Sequence, residues 1–221
     1  TVEVEPEGVT ALQVVPPAGS AEAAVRALAE LHSMGVREGL DWEVPASELI
    51  PDEELPLHRL GFAAGERDPA RAPLAEARAA VVASAFGFAH RNAAAGNILL
   101  APSRAWLTDF GQAGYGPQVY DVAAFLLTSG IEAAGRRALA AAYARVLGWE
   151  ASPTVDLVDL AGILWGIGEL LTLPRKLIET LGDDGATAHL KLSASRIEKG
   201  IRQPAGDSAA AAAIRAALWP G

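Results

Sequence analysis

The chain has no cysteine among its 221 residues, which removes disulfide frameworks and thiolate metal centres and leaves the redox compartment unread. Lysine is almost as scarce. Lys176, Lys191 and Lys199 are the only three, so nothing upstream of Lys176 supplies an ammonium group. Positive charge is the minority sign throughout: 18 Lys and Arg against 27 Asp and Glu give a net charge of −9. That balance works against nonspecific attachment to nucleic acid or anionic membranes. A cationic small molecule or a metal-bound ligand is the better expectation, and no nucleic-acid or membrane partner is read. Uninterrupted apolar runs are also missing. Ala79 to Ala89 is too short to span a bilayer, and Leu157 to Leu173 carries Asp159, Glu169 and three glycines. The opening residues TVEVEPEGVT are acidic and polar, without the basic-then-apolar order of a secretory signal. A soluble, cytoplasmic protein is the expectation.

What is present is enough apolar material, 51% of residues, to bury a sizeable core. Thr1 to Val15 alternates in two runs, TVEVE and VTALQVV, around Pro6, Glu7 and Gly8, a pattern that predicts a hairpin. Ser20 is placed to N-cap a helix through Met34, with Ala24, Leu28 and Leu31 on one face and Gly35 as its stop. Residues 39–73 are rich in proline and carry the acidic cluster Glu43, Glu48, Asp52, Glu53 and Glu54. They read as a solvated connection with one short helix near Asp52 to Leu60. A helix follows Pro73 and ends near Phe86. Further helices are expected from Glu132 to Leu147, from Val155 to Leu181 with an interruption at Pro174, from Ala186 to Lys199, and from Asp207 to Trp219. Gly148, Gly182 and Gly200 stand as helix stops. The alanine run 209–213 reads as a peripheral helix. No repeat or long linker divides the chain, so one mostly helical α+β domain is expected over 1–221, with a hairpin in 1–19 and helices from 20 onward. The helices from Ser20, Pro73, Asp121, Glu132 and Val155 should form the core.

The segment from Phe88 to Leu127 gathers His90, Asn92, Asn97, Asp109 and Asp121 among apolar residues and glycines. A turn between Ala101 and Arg104 predicts a hairpin that brings Asn97 toward Asp109. An amide oxygen and a carboxylate are hard ligands suited to Mg²⁺, which binds through one or two protein oxygens plus phosphate and water. Asp121 is placed either to N-cap the helix VAAFLL or to brace the loop. His90 alone reads more readily as a hydrogen-bonded core residue than as a catalyst. Gly111, Gly114 and Gly116 read as a flexible turn, lacking the Lys-Ser/Thr ending of a phosphate loop. His32, His58, His90 and His189 show no zinc-ligand spacing.

His90-Arg91-Asn92, Asn97-Ile98-Leu99, Asp109-Phe110-Gly111 and Tyr120-Asp121-Val122-Ala123 resemble the aminoglycoside phosphotransferase and choline kinase family, which shares the protein-kinase-like fold. Leu28-Ala29-Glu30-Leu31-His32 and Ala142-Tyr143 are similar to two further pieces of that family, and the likeness covers roughly residues 10–181, its C-terminal lobe. The resemblance implies Asn97 and Asp109 as Mg²⁺ ligands, His90 as a brace of the catalytic loop and Asp121 as its anchor. It puts Asn92 where the family has an aspartate as catalytic base. A carboxamide hydrogen-bonds a substrate hydroxyl but has no useful basicity at neutral pH. A positioned base is worth about 10²–10⁴ in rate, while phosphoryl transfer rests mainly on positioning and charge neutralisation. The family's ATP-covering lobe has no counterpart beyond a hairpin remnant in 1–19: no GxGxxG precedes His90, and no lysine lies upstream of it to grip phosphate.

Three functional expectations follow. The first is a degenerate phosphotransferase lobe, a pseudokinase acting as a binding or regulatory module. The second is an active ATP-dependent phosphotransferase for a small hydroxylated cation, with its nucleotide-binding lobe missing from this chain or supplied by a partner. The third is a structural scaffold without ligand.

Overall fold

The computed structural model describes residues 9–10, 15–34, 69–180 and 182–219. The run TVEVE, the turn at Pro6 to Gly8, Gly35, the acidic cluster and the short helix near Asp52 to Leu60 lie outside the described residues. The architecture is α+β and mostly helical.

Two small antiparallel sheets hold the functional segment. Strand β1 (Val9–Thr10) pairs with β3 (Ile98–Ala101), and β3 pairs with β4 (Arg104–Leu107) in the register Ile98↔Leu107. This second pairing is the hairpin expected between Asn97 and Asp109. Strand β2 (Phe86–Ala89) pairs with β5 (Gly114–Pro117) in a separate two-stranded ribbon. Neither of these strands is anticipated by the sequence pattern. The helix after Pro73 stops at Val82 instead of reaching Phe86, and the supposed flexible turn at Gly114 and Gly116 is a strand. Small residues are required there because a Cβ on Gly87 would lie 2.5 Å from Nε2 of the buried Gln118.

Helix α1 (Ala18–Ser33) begins two residues before Ser20, with Pro17 at the N-cap and its carbonyl accepting from Ala21 N at 2.9 Å. Ser20 is therefore a buried first-turn residue without a capping bond. The preceding proline cannot continue a helix upstream, so it sets the start. Helix α2 (Arg71–Val82) carries Pro73 in its first turn, where a missing N–H costs nothing. Helix α3 (Gln118–Thr128) is buried at every position. Helix α4 (Ala133–Leu147) ends on Gly148 in the left-handed region at φ 70°, as the pattern predicts.

Helix α5 (Ala151–Glu179) is continuous across Pro174, against the expected interruption. An ion pair from Lys176 to Glu169 straddles the proline turn, and packing against α6 (Asp184–Arg202) holds the helix where propensity would end it. Gly200 is likewise no stop: it is buried inside α6, where a Cβ would meet Leu127. Helix α7 (Ala209–Leu218), capped by Ser208, buries Ala210, Ala211, Ile214 and Leu218 against α2 and α5. Of the alanine run, Ala210 and Ala211 face the core while Ala209, Ala212 and Ala213 are exposed, as on a peripheral helix with one buried face. Its small side chains let the helix approach closely.

Within Ala151–Pro174, 24 residues long, an 18-residue window reaches a mean hydropathy of 1.5, enough by length and composition to cross a membrane. Here it is the central helix, packed on α2, α3, α4, α6 and α7. Its Asp159 is buried and accepts from Arg215 Nη2 at 2.7 and 2.8 Å. The helices beginning near Ser20, Pro73, Asp121, Glu132 and Val155 do supply the core, with Leu28, Val81, Phe125, Tyr143 and Ile163 among its buried residues.

Candidate functional site

The loop between β2 and β3 starts at His90, and its shape is set by one buried carboxylate. Asp121, on the first turn of α3, is 1% exposed. Its Oδ2 accepts the His90 backbone N–H at 2.6 Å and its Oδ1 accepts the Arg91 N–H at 2.8 Å. It does not cap its own helix, whose N-cap is Pro117. Of the two readings open in the sequence, the geometry is that of a loop brace. The two amides it holds let Arg91 adopt φ 63°, a left-handed conformation that costs a side-chain-bearing residue about 1–2 kcal/mol. Asp109, at φ 60°, is the other positive-φ residue apart from glycine among those described.

A third donor reaches the same carboxylate from α1. His32 Nε2 lies 3.0 Å from Asp121 Oδ2, and its Nδ1 lies 2.7 Å from the Tyr143 hydroxyl on α4. An ionised carboxylate only accepts, so Nε2 carries the hydrogen and the phenol donates to Nδ1. Burial first, then the charge of Asp121, pushes the Tyr143 pKa far upward, which keeps the phenol a donor. Gln118 Nε2 donates to the His32 carbonyl at 2.9 Å and closes the cluster. The residues quoted from three separate sequence fragments, the leucine-histidine, alanine-tyrosine and tyrosine-aspartate pieces, thus meet in one buried network. His32 and Tyr143 have no assigned role in the sequence reading; their shared position in the family likeness is the signal that could have linked them.

His90 is fully buried. Its Nε2 is 2.8 Å from the Thr108 carbonyl, and its Nδ1 accepts the Asn92 N–H at 3.3 Å. It ties the loop to the end of β4, where Asp109 follows, and its ring packs on Phe110 at 4.6 Å. A further anchor, Thr128 on α3, accepts the Ala95 N–H at 2.7 Å. No local sequence signal marks that threonine.

The outer side of the loop is much less constrained. Asn97 is half-buried, and its Nδ2 donates to the Asn92 carbonyl at 2.8 Å, leaving the amide oxygen free of that bond. Thr108 N donates to the Asn97 carbonyl at 2.9 Å, which places Asn97 and Asp109 at the same end of the β3–β4 hairpin. Asp109 is exposed. Asn92 Nδ2 points to Asp109 Oδ2 at 3.5 Å, a long contact. The structure therefore brings His90, Asn92, Asn97, Asp109 and Asp121 into one locality, with two brace residues buried and three polar residues at the rim.

The donor set at the rim suits Mg²⁺ in one respect and limits it in another. Asn97 and Asp109 offer an amide oxygen and a carboxylate, but among the described residues no group of three His, Asp or Glu surrounds them. One formal negative charge makes a weak cation site by itself. Phosphate and water would have to complete the shell.

Beside the loop, a cleft of about 330 Å³ is lined by Arg91, Gln112, Tyr120, Trp165, Glu169 and Thr172. Its wall is formed by the loop, the start of α3 and the middle of α5.

Comparison with known proteins bears on the fold and the family. No curated protein matches the chain by sequence. Among solved structures, a choline/ethanolamine kinase family protein from Mesorhizobium loti is similar at a TM-score of 0.53 and 18% identity, over 95% of this chain and 68% of that one. The choline kinase LicA from Streptococcus pneumoniae matches at 0.52 and 18%, over 90% and 68%. An ethanolamine kinase from Plasmodium vivax matches at 0.54 and 12%, over 86% of this chain but only 62% of that one. At these identities the likeness is one of fold, and this chain spans about two thirds of each neighbour's length. The model of the phosphotransferase enzyme family matches residues 3–158, well over half of the chain. The chain belongs to the phosphotransferase enzyme family.

Proposed function

We propose that this chain is a degenerate phosphotransferase lobe that works as a binding or regulatory module. The observation that carries the proposal is the Asn92 side chain. It sits on a loop held by Asp121 and His90, in the place where the family's pattern has a basic carboxylate, and its amide N–H is turned toward Asp109. An amide in that place donates to Asp109 and can hydrogen-bond a hydroxyl, but it does not remove the hydroxyl's proton. Mg²⁺, if bound, would be held by Asn97 and Asp109 and would supply charge neutralisation for a phosphate. The residues of the loop would position a hydroxylated molecule beside it.

A Mg²⁺ titration followed by NMR is expected to shift the Asn97 and Asp109 amides. Incubation with MgATP and a panel of aminoglycosides, choline and amino sugars is expected to give no transfer above background hydrolysis. Turnover above hydrolysis would overturn the proposal.

One observation favours a second reading. The kinase-fold neighbours are roughly a third longer than this chain, which leaves room for a nucleotide-binding lobe carried elsewhere. In that reading the full-length natural protein is stabilised thermally by MgATP, and absence of that stabilisation counts against it.

A further inference from the structure

The cleft beside the loop contains buried polar atoms that nothing in the fold satisfies. The Tyr120 hydroxyl has no hydrogen-bond partner, although Tyr120 is only 8% exposed and lines the cleft. Arg91, which also lines the cleft, leaves its Nε buried and unpaired. A third orphan, the Arg78 Nε, belongs to a guanidinium whose charge reaches Tyr120 from α2. Buried donors are ordinarily paired, because desolvating one without a partner is unfavourable. The two that line the cleft, on Tyr120 and Arg91, mark a place where a ligand completes the bonding.

The sign of that ligand follows from the charges around it. Trp165 and Tyr120 offer aromatic faces that a cation could use. Against this, the carboxylate of Glu169 is already paired with Lys176, and both oxygens of Asp121 are engaged by His90, Arg91 and His32. What remains uncompensated is the Arg91 guanidinium, reinforced by Arg78. A quaternary ammonium would meet these cations with no free carboxylate in reserve.

We infer that this cleft binds a small hydroxylated oxyanion, a carboxylate or phosphate ester, with Arg91 as the charge partner and the Tyr120 hydroxyl as a donor to it. Gln112 and Thr172 stand on the rim to recognise the ligand's hydroxyl groups. The inference deepens the binding-module reading and rests on it, by naming the ligand class that the module takes. It also sets the cleft's local charge against the acidic balance of the whole chain, which favours cations at long range. At contact distance the nearest unpaired group decides.

The test is an NMR titration of the full chain in EDTA with inorganic phosphate, gluconate and choline chloride at matched ionic strength. EDTA makes the result independent of any cation at Asn97 and Asp109. Phosphate or gluconate is expected to shift the Arg91 and Tyr120 amides, with affinity reduced about tenfold or more in Arg91→Gln and in Tyr120→Phe and partly kept in Arg91→Lys. The response to phosphate against gluconate tells the two anion sources apart. Tyr120→Phe removes a single oxygen, so it reports on binding even if Arg91→Gln fails to fold. Binding of choline without either anion would overturn the ligand class and leave the module reading standing. No binding of any probe, or anion binding unchanged in both variants, would overturn the inference.

Discussion

The inner and outer sides of the loop from His90 to Asn97 are built to different standards. On the inner side, one carboxylate takes hydrogen bonds from two backbone amides and a histidine, and the histidine in turn is held by a tyrosine from another helix. On the outer side, Asn92 and Asp109 meet across 3.5 Å at the surface. The difference separates what shapes a phosphotransferase loop from what runs its chemistry. The shaping parts come from α1, α3 and α4 and are buried, so changing them endangers the fold. The rim can change at little cost in stability, and it is at the rim, at Asn92, that the proposed loss of chemistry lies.

The contrast can be broken most severely at Asp121. Asp121→Ala leaves the His90 and Arg91 amides and the His32 ring without their acceptor, and an uncompensated buried polar cluster of this kind costs about 3–5 kcal/mol, measurable by urea unfolding. Gly87→Ala attacks the same region by volume. The new methyl would displace Gln118 from the His32 carbonyl, at about 1–3 kcal/mol. Tyr143→Phe removes only the donor to His32 Nδ1 and is expected to cost about 1 kcal/mol, with the fold kept. Asn92→Asp sharpens the comparison from the other side. Melting should change by less than about 0.5 kcal/mol, while Mg²⁺ affinity rises because a second carboxylate faces Asp109. The smallest effect lies far from the loop, at the exposed pair of Arg137 and Asp207. The hydrogen bond from Arg137, then its charge, holds the Asp207 carboxyl below its ordinary range. A depressed carboxylate favours the folded state above its unfolded pKa, and that contribution is lost as pH falls through the folded value. Arg137→Gln should return the Asp207 titration, followed by carboxyl NMR, to its usual position.

The sequence made the β3–β4 hairpin and the loop residues legible because turn residues and polar side chains stand out against apolar neighbours. It concealed β2 and β5, since Phe86 to Ala89 and Gly114 to Pro117 use glycine for close approach, and glycine in a strand reads as a turn. Pro174 and Gly200 misled for the opposite reason: both are local helix breakers inside helices held by tertiary contacts. Ser20 and Asp121 have the chemistry of caps, but prolines three and four residues before them set the helix starts. The partnership of His32 with Asp121 joins residues 89 positions apart, and no local pattern carries that information.

The most direct test of the account compares the natural chain with Asn92→Asp in one assay, following phosphate transfer from MgATP to hydroxylated acceptors in the full-length natural protein. The account expects no transfer above hydrolysis with Asn92 in place. Acceptor phosphorylation by the Asn92 protein above hydrolysis would contradict it.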